Sequence, residues 1–160
     1  MIWPWQVAQF TKKGVRIFLC VDDFLGTGYQ FRKFLKSTGI QELANDVCIL
    51  YAPLVAHETG LARLARKVPQ IQVATVERLD NSYCLFSHES THFMDGVNCA
   101  DTARDFYIHF LHSRGITSLG RMTLGYSDLS LTLAFGHATP NASLPLLWLP
   151  HENLHPLFTR

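Results

Sequence analysis

Apolar runs of strand length alternate with segments of helical spacing through the first half of the chain, and that alternation leaves few folds open to it. Ile17, Phe18, Leu19, Cys20 and Val21 form the first run. It shows no alternation of polar and apolar residues, as expected for a central strand of a parallel sheet covered on both faces, and it stops at Asp22. After a turn containing Gly26 and Gly28, Phe31, Phe34 and Leu35 recur at helical spacing, with Arg32, Lys33 and Lys36 on the other face and Gly39 as a stop. Val47 to Val55 is a second run, followed by Leu61, Leu64, Ala65 and Val68 at helical spacing and closed by Pro69. Ile71 to Val76 reads as a third strand. Parallel strands can be joined only through a crossover, so this order predicts an α/β fold with an open, mostly parallel sheet and flanking helices.

The second half is less regular. An irregular stretch from Asp80 to Asn98 precedes a helix from about Asp101 to Arg114, with Asp101 as its N-cap and Ala103, Phe106, Tyr107, Phe110 and Leu111 on one face. Leu129 to Phe135 alternates apolar and hydroxyl residues and predicts an edge or one-sided strand. With 160 residues, 48% of them hydrophobic, and no long linker, the expectation is a single domain over 1–160, with a lead-in at 1–16 and an irregular tail at 140–160. Fourteen Lys and Arg against thirteen Asp and Glu give a net charge of +1, which carries no global signature for nucleic acid or an anionic membrane and leaves room for a local patch. The four cysteines form no C-x-x-C pair, and no apolar stretch approaches the roughly 18 residues of a membrane span. A soluble, reduced, cytoplasmic protein is expected.

The segment Asp22-Asp23-Phe24-Leu25-Gly26-Thr27-Gly28-Tyr29-Gln30 lies where open α/β sheets bind ligands, at the carboxyl end of a strand and the start of a helix. Gly26, Thr27, Gly28, Tyr29 and Gln30 can aim successive backbone N–H groups at one phosphate, helped by the positive end of the helix. Asp22 and Asp23 are acceptors suited to the vicinal hydroxyls of a ribose attached to that phosphate. Two other readings stand beside this one: a plain β-α turn, and an acidic pocket of the kind found in receiver or phosphatase domains. A Walker A loop is excluded, because no Gly-Lys-Ser/Thr follows the glycines.

This order of apolar residues, acidic pair, two apolar residues and glycine turn resembles the phosphoribosyl-pyrophosphate (PRPP) motif of type I phosphoribosyltransferases. Gly26 departs from it, where that family has Thr, Ser or Ala, and so does Gln30, where a hydroxyl residue helps hold the phosphate. A wider resemblance, to the phosphoribosyltransferase-like family of bacterial conflict and antiphage defence loci, rests on Val21 to Gly28, Leu85-Phe86-Ser87 with Glu89, Ser90 and Phe93, Gly125 to Asp128, Thr139 to Asn141, Leu144 to Trp148, and Pro156 to Phe158. It implies a PRPP or nucleotide ligand, Mg²⁺ held through that ligand, and a bacterial antiviral setting. Only sixteen residues precede the first strand, whereas the resemblance places a pyrophosphate-binding turn and a flexible loop upstream of it. The expectation is therefore an N-terminally truncated, ligand-binding half, completed by a protein partner or a second copy, or else a catalytically silent nucleotide sensor.

Other motifs carry less. His88-Glu89-Ser90-Thr91-His92 fits the H-E-x-x-H zinc motif, with His88 and His92 as ligands, but it needs a helix that Ser90, Thr91, Asp95 and Gly96 disfavour. Asp128 and His137 flank the expected last strand and are secondary candidates for the ligand site, against a plain Asp128 turn. The eight histidines are otherwise scattered, and Trp3, Trp5, Trp148 and Phe158 either cover the core or form a partner surface, the second being the expectation.

Overall fold

Contacts divide the computed structural model, which describes residues 1–93 and 97–158, into two compact units, Met1–Leu79 and Asp80–Arg160. In the first, β1 (Ile17–Leu25), β2 (Cys48–His57) and β3 (Ile71–Val73) form a parallel sheet in the order β1-β2-β3, and β4 (Glu77–Leu79) also pairs with β2. The expected third strand is thus split. β3 runs beside Ile49 to Tyr51 and β4 beside Val55 to His57. Between them the Thr75 hydroxyl donates to the carbonyls of Leu54 (3.3 Å) and Glu77 (3.0 Å), holding the chain out of the ladder.

Helices α1 (Val7–Lys12), α2 (Tyr29–Ser37), α3 (Ile40–Leu43) and α4 (Glu58–Lys67) complete this unit. Their apolar stripes supply Val7, Phe31, Leu35, Ile40 and Leu64 to a core shared with Phe18, Ile49, Tyr51 and Ile71 of the sheet. Phe31 lies flat on Tyr51, with ring centroids 3.6 Å apart and planes 9° apart. The α/β class expected from the alternation of runs and helical segments is the one observed.

The first strand differs from expectation in two ways. It continues to Leu25, so Asp22 and Asp23 are strand residues with in-register partners nearby, Asp22 opposite Pro53. It is also an edge strand: successive side chains take opposite faces, Phe18 is buried, and Ile17, Leu19 and Val21 are 70%, 59% and 76% exposed. An unbroken apolar run need not mean two covered faces.

In the second unit, α5 (Ala100–Ser113) and α6 (Pro145–Trp148) pack with irregular chain around Tyr107, Leu111, Ile116, Leu124, Leu144 and Leu154. The N-cap of α5 is Cys99, not Asp101: the Thr102 hydroxyl accepts from the Cys99 N–H at 3.2 Å. Asp101 instead faces His88 across 3.9 Å. Tyr107 and Leu111 are buried as expected, whereas Phe106 is exposed and stacks on Phe110. The strand expected over Leu129 to Phe135 does not form. Ser127, Asp128 and Ser130 take positive φ of 59°, 58° and 44°, which breaks the pleat and leaves Leu131 with only isolated bridges to Cys84 and Ser143. Trp148 is buried, its indole N–H donating to the Ser143 carbonyl at 3.1 Å, so it belongs to this core and not to a surface. Trp3 and Trp5 are exposed and stack on each other at 5.1 Å.

Candidate functional site

β1 delivers its chain through Gly26, Thr27 and Gly28 directly into α2. Gly28 is the N-cap, in the left-handed conformation (φ 73°, ψ 2°), and no side chain caps the helix. The N–H groups of Tyr29, Gln30 and Phe31 are therefore the orphan donors of the first turn, at the positive end of the helix. Left-handed backbone costs an L-residue about 1–2 kcal/mol, so glycine is the residue for this position.

The turn is held from below by α4. Gly60 lies against the Gly26 carbonyl so closely that a methyl group there would overlap it and would stand 2.9 Å from the Leu25 side chain. A methyl at Gly28 would in turn meet the Gly60 carbonyl at 3.2 Å. Thr27 is buried between them in sequence, while Tyr29 and Gln30 are exposed. Gly60 escaped the sequence reading because a glycine inside a helical pattern carries no sign of what it touches.

Asp22 is fixed by two donors. The Tyr51 hydroxyl donates to its Oδ2 at 2.7 Å, and the Asp23 N–H donates to its Oδ1 at 3.0 Å. Burial raises the Asp22 carboxyl above its ordinary value, the two donors pull it back, and repulsion from Asp23 pushes the same way as burial. Burial, followed by the Asp22 contact, pushes the Tyr51 phenol well above the ordinary phenol range, so it stays a donor. Burial likewise raises the Cys20 thiol, with Asp22 adding to it. Asp22 also hydrogen-bonds the Asp23 side chain, which raises its carboxyl further. Tyr51 was hidden inside an apolar run, although a lone phenol in such a run is the signal that a buried polar partner exists. His57 was also missed: it is fully buried at the end of β2 and caps α4, its Nδ1 accepting from the Thr59 N–H at 3.2 Å.

The structure thus strings Asp22, Asp23 and the Gly26 to Gln30 turn along one β-α junction of the first unit. Asp128 and His137 belong to the second unit, where Asp128 sits exposed in a tight turn and His137 stacks on Phe135 at 5.7 Å. His88 and His92 fall on turns, not on a helix, so the one-turn spacing that the zinc motif requires is not formed. Asp95 and Gly96 of that segment lie outside the described residues.

Cys99 has a thiol shifted downward. Hydrogen bonding to the side chain and then the backbone of Thr102 lowers the Cys99 pKa, and Cys99 is exposed, whereas Cys84 is buried and Cys20 is shifted upward. Because the thiolate is the reactive form, limiting iodoacetamide at pH 7.5 is expected to label Cys99 roughly tenfold faster than Cys20 or Cys84, read by peptide mass spectrometry. Equal labelling would remove the helix-cap effect.

No curated protein and no solved structure matches the chain. The family model PRTase-CE, a phosphoribosyltransferase-like domain, matches all of it, residues 1–160. A match over the full length, on an open parallel sheet of the α/β class, means that the chain belongs to the PRTase-CE family of phosphoribosyltransferase-like domains.

Proposed function

We propose that the chain binds a ribose 5-phosphate group, as PRPP or as a nucleotide, at the carboxyl end of β1. Asp22 and Asp23 accept from the ribose hydroxyls, and the N–H groups from Gly26 to Gln30 surround the phosphate. The observation that carries this reading is the uncapped start of α2 at left-handed Gly28, which follows the acidic pair Asp22 and Asp23 along one β-α junction. Mg²⁺ enters this reading with the ligand's phosphates. The family resemblance supplies the setting, bacterial antiphage defence.

A second reading, a nucleotide-sensing or interaction subunit without turnover, draws on the exposed apolar face of β1 at Ile17, Leu19 and Val21. Both readings require the same ribose-phosphate site. Calorimetric titration with PRPP and with AMP, each with and without Mg²⁺, tests it. The Asp22→Asn/Asp23→Asn protein is expected to bind at least about tenfold more weakly, since each hydrogen bond to a charged group contributes ~1.5–3 kcal/mol. Unchanged affinity in that variant would defeat the assignment.

A further inference from the structure

The near-neutral charge of the whole chain, +1, conceals a local excess on α2. This helix carries Arg32, Lys33 and Lys36 and no acidic residue. With Tyr29 and Ser37 these side chains line an open groove of about 390 Å³, the size of a small-ligand pocket. Among the described residues none of the three cations is within 4.0 Å of a carboxylate; the pair found there is His88 with Asp101. The Nε of Arg32 is shut off from solvent and has no acceptor among the described residues. Tyr29 joins this groove to the phosphate turn: its backbone N–H opens α2, and its half-exposed ring lines the groove.

We infer that the α2 groove is a second subsite, which takes the next nucleotide unit on the 5′ side of the phosphate held at the Gly26 to Gln30 turn. The ligand class is then a 5′-phosphorylated dinucleotide or short single strand, not a mononucleotide; this deepens the ribose-phosphate reading and rests on it. Side chains one and two turns along α2, about 5 and 10 Å from its start, are spaced to follow a phosphodiester leaving the turn. The phosphate at the turn is then the linking phosphodiester, Arg32, Lys33 and Lys36 meet the 5′-terminal phosphate of the added unit, and the Tyr29 ring offers a face on which a base stacks. Continuity with the phosphate turn and the aromatic lining favour a nucleotide over an acidic peptide.

The test compares AMP, the dinucleotide pApA and a hexaglutamate peptide by calorimetry on the intact chain and on the Lys33→Gln/Lys36→Gln variant. Both lysines are exposed, so the variant keeps the core. The expected result is pApA binding about tenfold tighter than AMP, with this advantage lost in the variant and AMP affinity unchanged. The log–log salt dependence for pApA should also shrink by about 0.7, the share of the one phosphate that the groove neutralises on a single strand. Equal affinity for pApA and AMP, or an advantage that survives in the variant, overturns the subsite while leaving the ribose-phosphate reading intact. Lysine-dependent pApA binding without AMP binding supports the groove and defeats the turn. No binding of either defeats both, and hexaglutamate binding as tightly as pApA reassigns the groove to an acidic protein partner.

Discussion

Gly60→Ala is expected to weaken ribose-phosphate binding by at least about tenfold, the equivalent of one lost charge-assisted hydrogen bond. Gly136→Ala is expected to leave binding unchanged. A methyl at Gly60 overlaps the backbone carbonyl of Gly26, and no flexible side chain is there to yield; a methyl at Gly136 has no heavy atom within 4 Å. Two effects oppose each other in stability. Overpacking costs about 1–3 kcal/mol, and replacing a helical glycine by alanine returns ~1 kcal/mol, so the melting temperature falls little, at roughly 2–4 °C per kcal/mol. Affinity falls more, because the clash is relieved by moving the turn that carries the phosphate donors. A Gly60→Ala protein with unaltered affinity would show that the turn is not held against α4 for binding.

Asp22→Asn should make the ligand-free protein relatively more stable as pH rises. The folded carboxyl has a raised pKa, so above the ordinary value of 3.8 the native state binds more protons than the unfolded chain, and wild-type stability declines with pH until the native group has titrated. Asn has no such term. Losing one of the two accepted hydrogen bonds adds an offset that does not depend on pH, so the slope is the observable. The difference in melting temperature should move in the variant's favour by a few degrees at most, because solvent screens the carboxylate of an exposed residue and ~1 kcal/mol corresponds to about 2–4 °C. A slope of opposite sign would mean that Tyr51 and the Asp23 N–H stabilise the charge by more than burial costs, as a structural cap would. Sites that bind at the expense of stability show the slope predicted here.

Much of the first unit was legible because its elements are set by local pattern. Phe31 and Leu35 at helical spacing, the run that became β2, and Gly39 at φ 70° all report on the chain next to them. The acidic pair and the glycine turn were legible for the same reason, as strand end and helix start adjoin in sequence. What was not legible depends on partners distant in sequence: the Tyr51 hydroxyl 29 residues from Asp22, and Gly60 pressed on Gly26. β1 was read as central because an apolar run does not say how many neighbours a strand has, and only pairing shows β2 alone beside it. In the second unit, Leu129, Leu131 and Leu133 had the alternation of a strand, but positive φ at Ser127, Asp128 and Ser130 folds the segment into turns around buried Leu131. Two hydroxyl residues and an aspartate in that conformation are compatible with extended chain by composition, so the pattern misled.

Titration with ribose 5-phosphate, followed through the backbone amide resonances of the labelled chain, locates the site. The largest shifts are expected on the amides of Thr27, Gly28, Tyr29 and Gln30, with Asp22 and Asp23 next, and they should vanish when ribose replaces ribose 5-phosphate at the same concentration. Saturable shifts concentrated elsewhere, or a turn that responds no more than the rest of the chain, would contradict the ribose-phosphate assignment.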